Sequence, residues 1–231
     1  MGRASKPIMP TDNLSESNLV LSYLTLRRIV GFIGIGLPFA LAVGKILLGE
    51  PGLQSSISGY YYTNVRNILV GGLCAIGVFM LSYRGYEKRD RWSGNFACIF
   101  AIGVALFPVA PDPSPSQLDT IIGRFHLAFA TAMFLTLAYF CLALFTKTHS
   151  PKTMTKKKKE RNIVYRVCGW MILACIALII ACELLFLNDY SMFKDSPIKQ
   201  LDQVFWLESI AILAFGFSWL TKGEFILADE G

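Results

Sequence analysis

The chain has 231 residues, of which 54% are hydrophobic and only 16% charged, against roughly 25% charged in soluble globular domains. Its apolar residues are bunched into runs near the roughly 20 residues that cross about 30 Å of hydrocarbon, which argues against a water-soluble core and for an all-α, polytopic membrane protein. The net charge of +6 sits at the margins of those runs without the aromatic interleaving of a nucleic-acid groove, so no nucleic-acid partner is expected.

Six spans are expected, at 29–48, 67–84, 94–111, 122–146, 163–187 and 204–221. They divide the chain into an N-terminal segment (1–28), a single six-helix transmembrane domain (29–221) and a tail (222–231). The first segment carries Arg3 and Lys6 and then the polar stretch TDNLSESN rather than a signal-peptide core, so the first span is expected to stay as an anchor. Glycines at 31, 34 and 36 allow close helix contact there, and Pro38 allows a kink. The loop that follows contains SISGYYYTNVRN, residues 56–67, three tyrosines and an arginine beside hydrocarbon. After the second span, YRGYEKRDRW reads as a solvated connector with Tyr83, Tyr86 and Trp92 as interface anchors. The third span ends in the rigid PVAPDPSPS, and the fourth opens with GRFHLAFATAMF. In the fifth, Cys168, Cys175 and Cys182 recur every seven residues and share a face, the pattern of a small-residue packing stripe. None of the six cysteines falls in a loop, so no disulfide framework is indicated.

Lysine and arginine are sharply partitioned. The N-terminal segment, the second and fourth loops and the tail hold 17 of the 22 basic residues, including the run Lys156 to Lys159. Because basic loops stay cytoplasmic, both termini are expected inside and the 49–66, 112–121 and 188–203 loops outside, the parity that six spans require. The lysine run then reads as a topology determinant, with an anionic-lipid patch as the alternative.

With that topology the costly polar groups collect at one depth. Arg66 and Asn67 open the second span, Asp112 follows the third, Arg124 and His126 open the fourth, and Glu183 and Glu208 each lie about a turn inside the outer end of theirs. An intramembrane carboxylate normally faces the bundle interior with a partner, and Arg66, Arg124 and His126 are the available ones. Arg66, Arg124 and Lys45 can instead snorkel to the interface, and Tyr60, Tyr61, Tyr62 and Trp206 can form an aromatic belt. His126, Glu183, Glu208 and Asp112 are metal-ligand types, but a single histidine on this side argues against a metal centre or haem. Ser58 or Ser56 with His126 and an acid would supply a serine hydrolase by residue type, without a GxSxG elbow. No cofactor is implied.

The element Ile57-Ser58-Gly59 in the outer loop, the histidine of GRFHLAFATAMF and the acid of FWLESIAILAFGFSWLTKGE together resemble the six-span superfamily of damage-regulated autophagy modulators and GPI-anchor lipid-remodelling proteins. The chain also resembles uncharacterised bacterial inner-membrane proteins with an SIS-YYYT--RN loop. The resemblance implies membrane-lipid handling, with Ser58, His126 and Glu208 as the matching polar positions. A likeness to seven-span zinc hydrolases such as alkaline ceramidases is set aside, because the HxxxH pair and one span are missing.

The expected function is therefore binding, sensing or remodelling of a membrane lipid through a polar pocket open to the outer leaflet of an inner membrane. In that pocket Tyr60, Tyr61, Tyr62, Arg66, Asn67 and Arg124 would hold an anionic head group, and Glu183, Glu208 and His126 would form the floor. The alternatives are a lipid hydrolase or acyltransferase with His126 as base, or a small transporter or assembly partner. A homo-oligomer or a membrane-protein partner stays open.

Overall fold

The computed structural model describes residues 11–83, 88–111, 114–147, 155–187 and 202–228, and the burial of side chains from Tyr23 to Cys182 and from Asp202 onward within those ranges. Among the described residues six α-helices follow one another: α1 (Thr11–Leu47), α2 (Arg66–Leu81), α3 (Lys88–Leu106), α4 (Gln117–Tyr139), α5 (Lys156–Leu187) and α6 (Gln203–Lys222). A 3-10 turn over Ser58–Tyr62 precedes α2, and a π turn over Phe140–Leu144 ends α4. Among the described residues there is no strand.

Each helix packs on its neighbours in sequence, and α6 returns to α1, so the six form a closed ring. The closure is made by glycine on both sides. A Cβ on Gly216 would stand 2.8 Å from the Gly31 carbonyl oxygen and 2.8 Å from the Ile35 nitrogen, and one on Gly31 would stand 2.9 Å from the Gly216 oxygen. Backbones this close require the small residues that span-to-span packing favours. Outside the ring the surface is itself apolar, with Phe39, Val43, Phe125, Leu127, Trp170 and Trp206 all exposed.

Among the described residues four helical stretches are long and apolar enough to cross a membrane: Tyr23–Leu47, Gln117–Leu144, Lys156–Cys182 and Gln203–Lys222. α2 has 16 residues, about 24 Å at 1.5 Å per residue. α3 spends its first turn on Lys88, Arg89, Asp90 and Arg91. These two shorter helices pack on each other.

Helix ends depart from the expected spans for identifiable reasons. The third, expected to run to 111, stops at Leu106, because Pro108 has no N–H to continue the ladder and its ring disfavours helix at Phe107. The fourth starts at Gln117 rather than 122, fixed by a capping box in which Ser116 Oγ accepts from the Asp119 N–H at 3.1 Å and Asp119 Oδ2 accepts from the Ser116 N–H at 2.9 Å. α5 starts at Lys156, so the lysine run is helical, and α1 starts at Thr11, inside the segment expected to precede the first span. Charged helical turns carry no hydropathy signal, which is why the spans read short.

Two expectations about the connector after α2 are corrected by burial. Tyr83, read as an interface anchor, is 5% exposed and sits edge-on to Phe140 and Trp219. Asp90, read as part of a solvated turn, is 2% exposed and pairs with Lys147 at 3.3 Å. Tyr86 lies outside the described residues.

Gly216→Ala is expected to lower the unfolding temperature in detergent, with a loss of about 1–3 kcal/mol from overpacking against fixed backbone. Gly36→Ala, where a Cβ meets nothing within 4 Å, is expected to hold or raise it. Equal effects of the two in a thermal-unfolding assay would remove the glycine contact as the closure of the ring.

Candidate functional site

Between α3 and α4 the described residues, 107–111 and 114–116, run irregularly, and between α1 and α2 the chain is irregular apart from the 3-10 turn. These two stretches meet over the same end of the bundle. The Tyr62 hydroxyl donates to the Val109 carbonyl at 2.7 Å and ties them together. Burial raises the Tyr62 phenol above its ordinary value and Asp119 adds to this, so it stays a neutral donor.

The loss of helix at Pro108 leaves carbonyls without amide partners, and His126 takes one. Its Nδ1 lies 2.7 Å from the Phe107 carbonyl oxygen and its Nε2 lies 2.9 Å from Ser58 Oγ. A carbonyl oxygen only accepts, so Nδ1 carries the proton. In the neutral ring Nε2 is then the acceptor, and the Ser58 hydroxyl donates to it. The ring is 6% exposed.

Ser58 is placed by the turn it begins. Ser56 Oγ accepts from the Gly59 N–H at 2.9 Å, and Glu208 Oε2 accepts from the Ile57 N–H at 2.6 Å. The Phe205 N–H, in the first turn of α6, donates to the Ser55 carbonyl at 2.9 Å. α6 therefore grips the loop on both sides of Ser56, and its carboxylate acts on the backbone next to the serine.

Ser58, His126 and Glu208 thus line one crevice, with Tyr61, Leu73, Val104, Met133, Phe134 and other apolar side chains as its walls. Its volume is about 30 Å³, room for one or two waters. The remaining expected residues are placed differently. Tyr61 is in the wall, with the Arg66 guanidinium 3.9 Å above its ring and hydrogen-bonded to its hydroxyl. Tyr60 is fully buried, its ring 6.1 Å from that of Phe205, which makes it a core residue in no position to touch a head group. Asn67 and Arg124 are exposed and do not line the crevice. Glu183 is in α5 with its side chain outside the described residues, as is Asp112. Lys45, expected to snorkel, is 5% exposed and donates to the carbonyls of Pro51 and Gly52 at 3.1 and 3.0 Å. Among the described residues no group of three His, Cys, Asp or Glu side chains could hold a metal ion.

The role of Phe107 was not visible beforehand. Its signal was the pair of prolines after it: Pro108 ends α3, and Pro111, four residues beyond Phe107, has no N–H to offer its carbonyl. No protein-family model, no curated protein and no solved structure matches the chain.

Removing the Glu208 acceptor strands the Ile57 N–H, on a residue 4% exposed, at a cost of about 1–3 kcal/mol. Glu208→Ala is expected to lower the unfolding temperature clearly, and Glu208→Gln, which keeps a carbonyl oxygen, to lower it less. Two variants equally stable with wild type would show that this bond does not hold the turn.

Proposed function

We propose that the chain is a six-span protein of an inner membrane, with both termini cytoplasmic, that remodels a membrane lipid by acyl transfer at Ser58. The observation that carries the reading is the pair Ser58 Oγ and Nε2 of His126 at 2.9 Å, with the other ring nitrogen held as a donor by Phe107. This has the logic of a nucleophile, a base and an orienting acceptor, the acceptor here being a backbone carbonyl. The crevice walls are apolar, and the partition of basic residues supports an outer position for this end of the bundle. The resemblance of Ser58, His126 and Glu208 to lipid-remodelling families points the same way.

In the proposed reaction Ser58 Oγ attacks the carbonyl carbon of a lipid ester while its proton passes to Nε2 of His126. The tetrahedral intermediate collapses, the ester C–O bond breaks, and the departing alcohol takes the proton back from Nε2. Water or an acceptor alcohol then attacks the acyl carbon and gives its proton to Nε2 of His126; the bond from that carbon to Ser58 Oγ breaks, and Nε2 returns the proton to Ser58 Oγ. Glu208 is a positioning residue, through the Ile57 N–H.

A second reading, binding without turnover, is favoured by the crevice volume of about 30 Å³, since an acyl chain enters only if the walls part. Turnover of an acyl-labelled phospholipid in vesicles decides between them. Ser58→Ala and His126→Ala are each expected to lower it by about 100-fold or more, while Arg124→Gln leaves it within about twofold of wild type. Turnover that survives in both folded variants rejects acyl transfer, and absence of any turnover with retained labelled lipid favours binding alone.

A further inference from the structure

At the end of the bundle opposite Ser58, residues of α1, α3, α5 and α6 and of the segments that follow α2 and α4 line a second cavity, of about 350 Å³. Glu208 and Lys222, one at each end, are 14 residues apart on α6, about 21 Å. Five cations line it, Arg27, Lys147, Lys158, Arg161 and Lys222, against two carboxylates, Asp90 and Glu224. Lys147 pairs with Asp90 at 3.3 Å and Arg161 with Glu224 at 3.6 Å. With Lys222 set aside, four cations still face two carboxylates around a common space.

These cations are held in place. The Arg27 guanidinium lies 4.2 Å from the Tyr23 ring centre, Lys158 Nζ lies 5.7 Å from that of Tyr165, and Lys222 Nζ lies 5.5 Å from that of Phe145. Lys158 also donates to the Phe145 carbonyl at 2.9 Å, a contact set up by the π turn that places Phe145. Arg161 is 9% exposed and Asp90 2%, so each ion pair has one member anchored in the protein interior. The Arg27 Nε–H is buried with no hydrogen-bond partner among the described residues. Burial also pushes the Tyr83 phenol up, with Arg27 opposing, which leaves a neutral hydroxyl in the same wall.

We propose that this cavity binds a phosphate-bearing anion of two or more negative charges, a phosphomonoester or a pyrophosphate. Such a group presents only acceptor oxygens to a wall of guanidinium, ammonium and phenol donors, and arginine's planar fork suits it geometrically. An organic cation has the wrong sign, and an apolar ligand would desolvate the charged lining. The phosphate can belong to a lipid head group or to a soluble compound. Assigning the cavity to the cytoplasmic side rests on the topology proposed above; the cavity itself does not.

Thermal unfolding in nanodiscs tests this. Inorganic pyrophosphate added to protein in phosphatidylcholine discs is expected to raise the unfolding temperature if the source is soluble, and replacing part of that lipid with phosphatidic acid to raise it if the source is lipid. Either response is expected to weaken at least tenfold in apparent affinity in Arg27→Gln and in Lys158→Gln, and to be unchanged in Lys88→Gln, whose side chain is exposed. Ser58→Ala is expected to respond as wild type does, which separates this binding from the acyl-transfer reading. No response to either anion, or an equal response in folded Arg27→Gln and Lys158→Gln, overturns the proposal.

Discussion

Backbone groups in apolar surroundings must find partners within the protein, and the irregular chain over the Ser58 end of the bundle is built around that demand. Lys45 takes the carbonyls of Pro51 and Gly52, Glu208 takes the Ile57 N–H, Tyr62 takes the Val109 carbonyl, and His126 takes the Phe107 carbonyl. Each of these polar side chains satisfies a backbone group that no helix does. The serine and histidine meet because the loops that carry and orient them are pinned in this way. His126 is at once a structural acceptor's partner and the neighbour of a hydroxyl, so the tautomer that stabilises the loop is the one that suits a general base.

The two ends of the ring solve opposite problems. At the Ser58 end single polar side chains are matched with backbone groups, leaving a narrow crevice. At the other end charges are grouped, with more cations than carboxylates around a larger space. α1 and α6, in contact through Gly31 and Gly216, run between the two and contribute to both.

Much of this was legible in the sequence where the signal is local. The long apolar runs marked α1, α4, α5 and α6; the scarcity of polar groups near the span ends made His126 and Glu208 stand out, and the resemblance to lipid-remodelling families added Ser58. What stayed hidden depends on contacts between distant residues. Nothing in the tyrosine triplet says that Tyr60 is core, Tyr61 wall and Tyr62 a strut; a 3-10 turn sends consecutive residues to different sides. The cavity cations run from Arg27 to Lys222, and each one alone reads as an ordinary margin residue. Asp90 within KRDRW carried the strongest missed cue, since its flanking basic residues masked a carboxylate that folds inward to Lys147.

The central claim is that Nε2 of His126 activates Ser58. Reaction of the protein with a fluorophosphonate, followed by peptide mass spectrometry, tests it most directly. The account predicts an adduct on Ser58 that is lost in His126→Ala while the variant remains folded. An unmodified Ser58 in wild type, or undiminished labelling of Ser58 without the histidine, would contradict it.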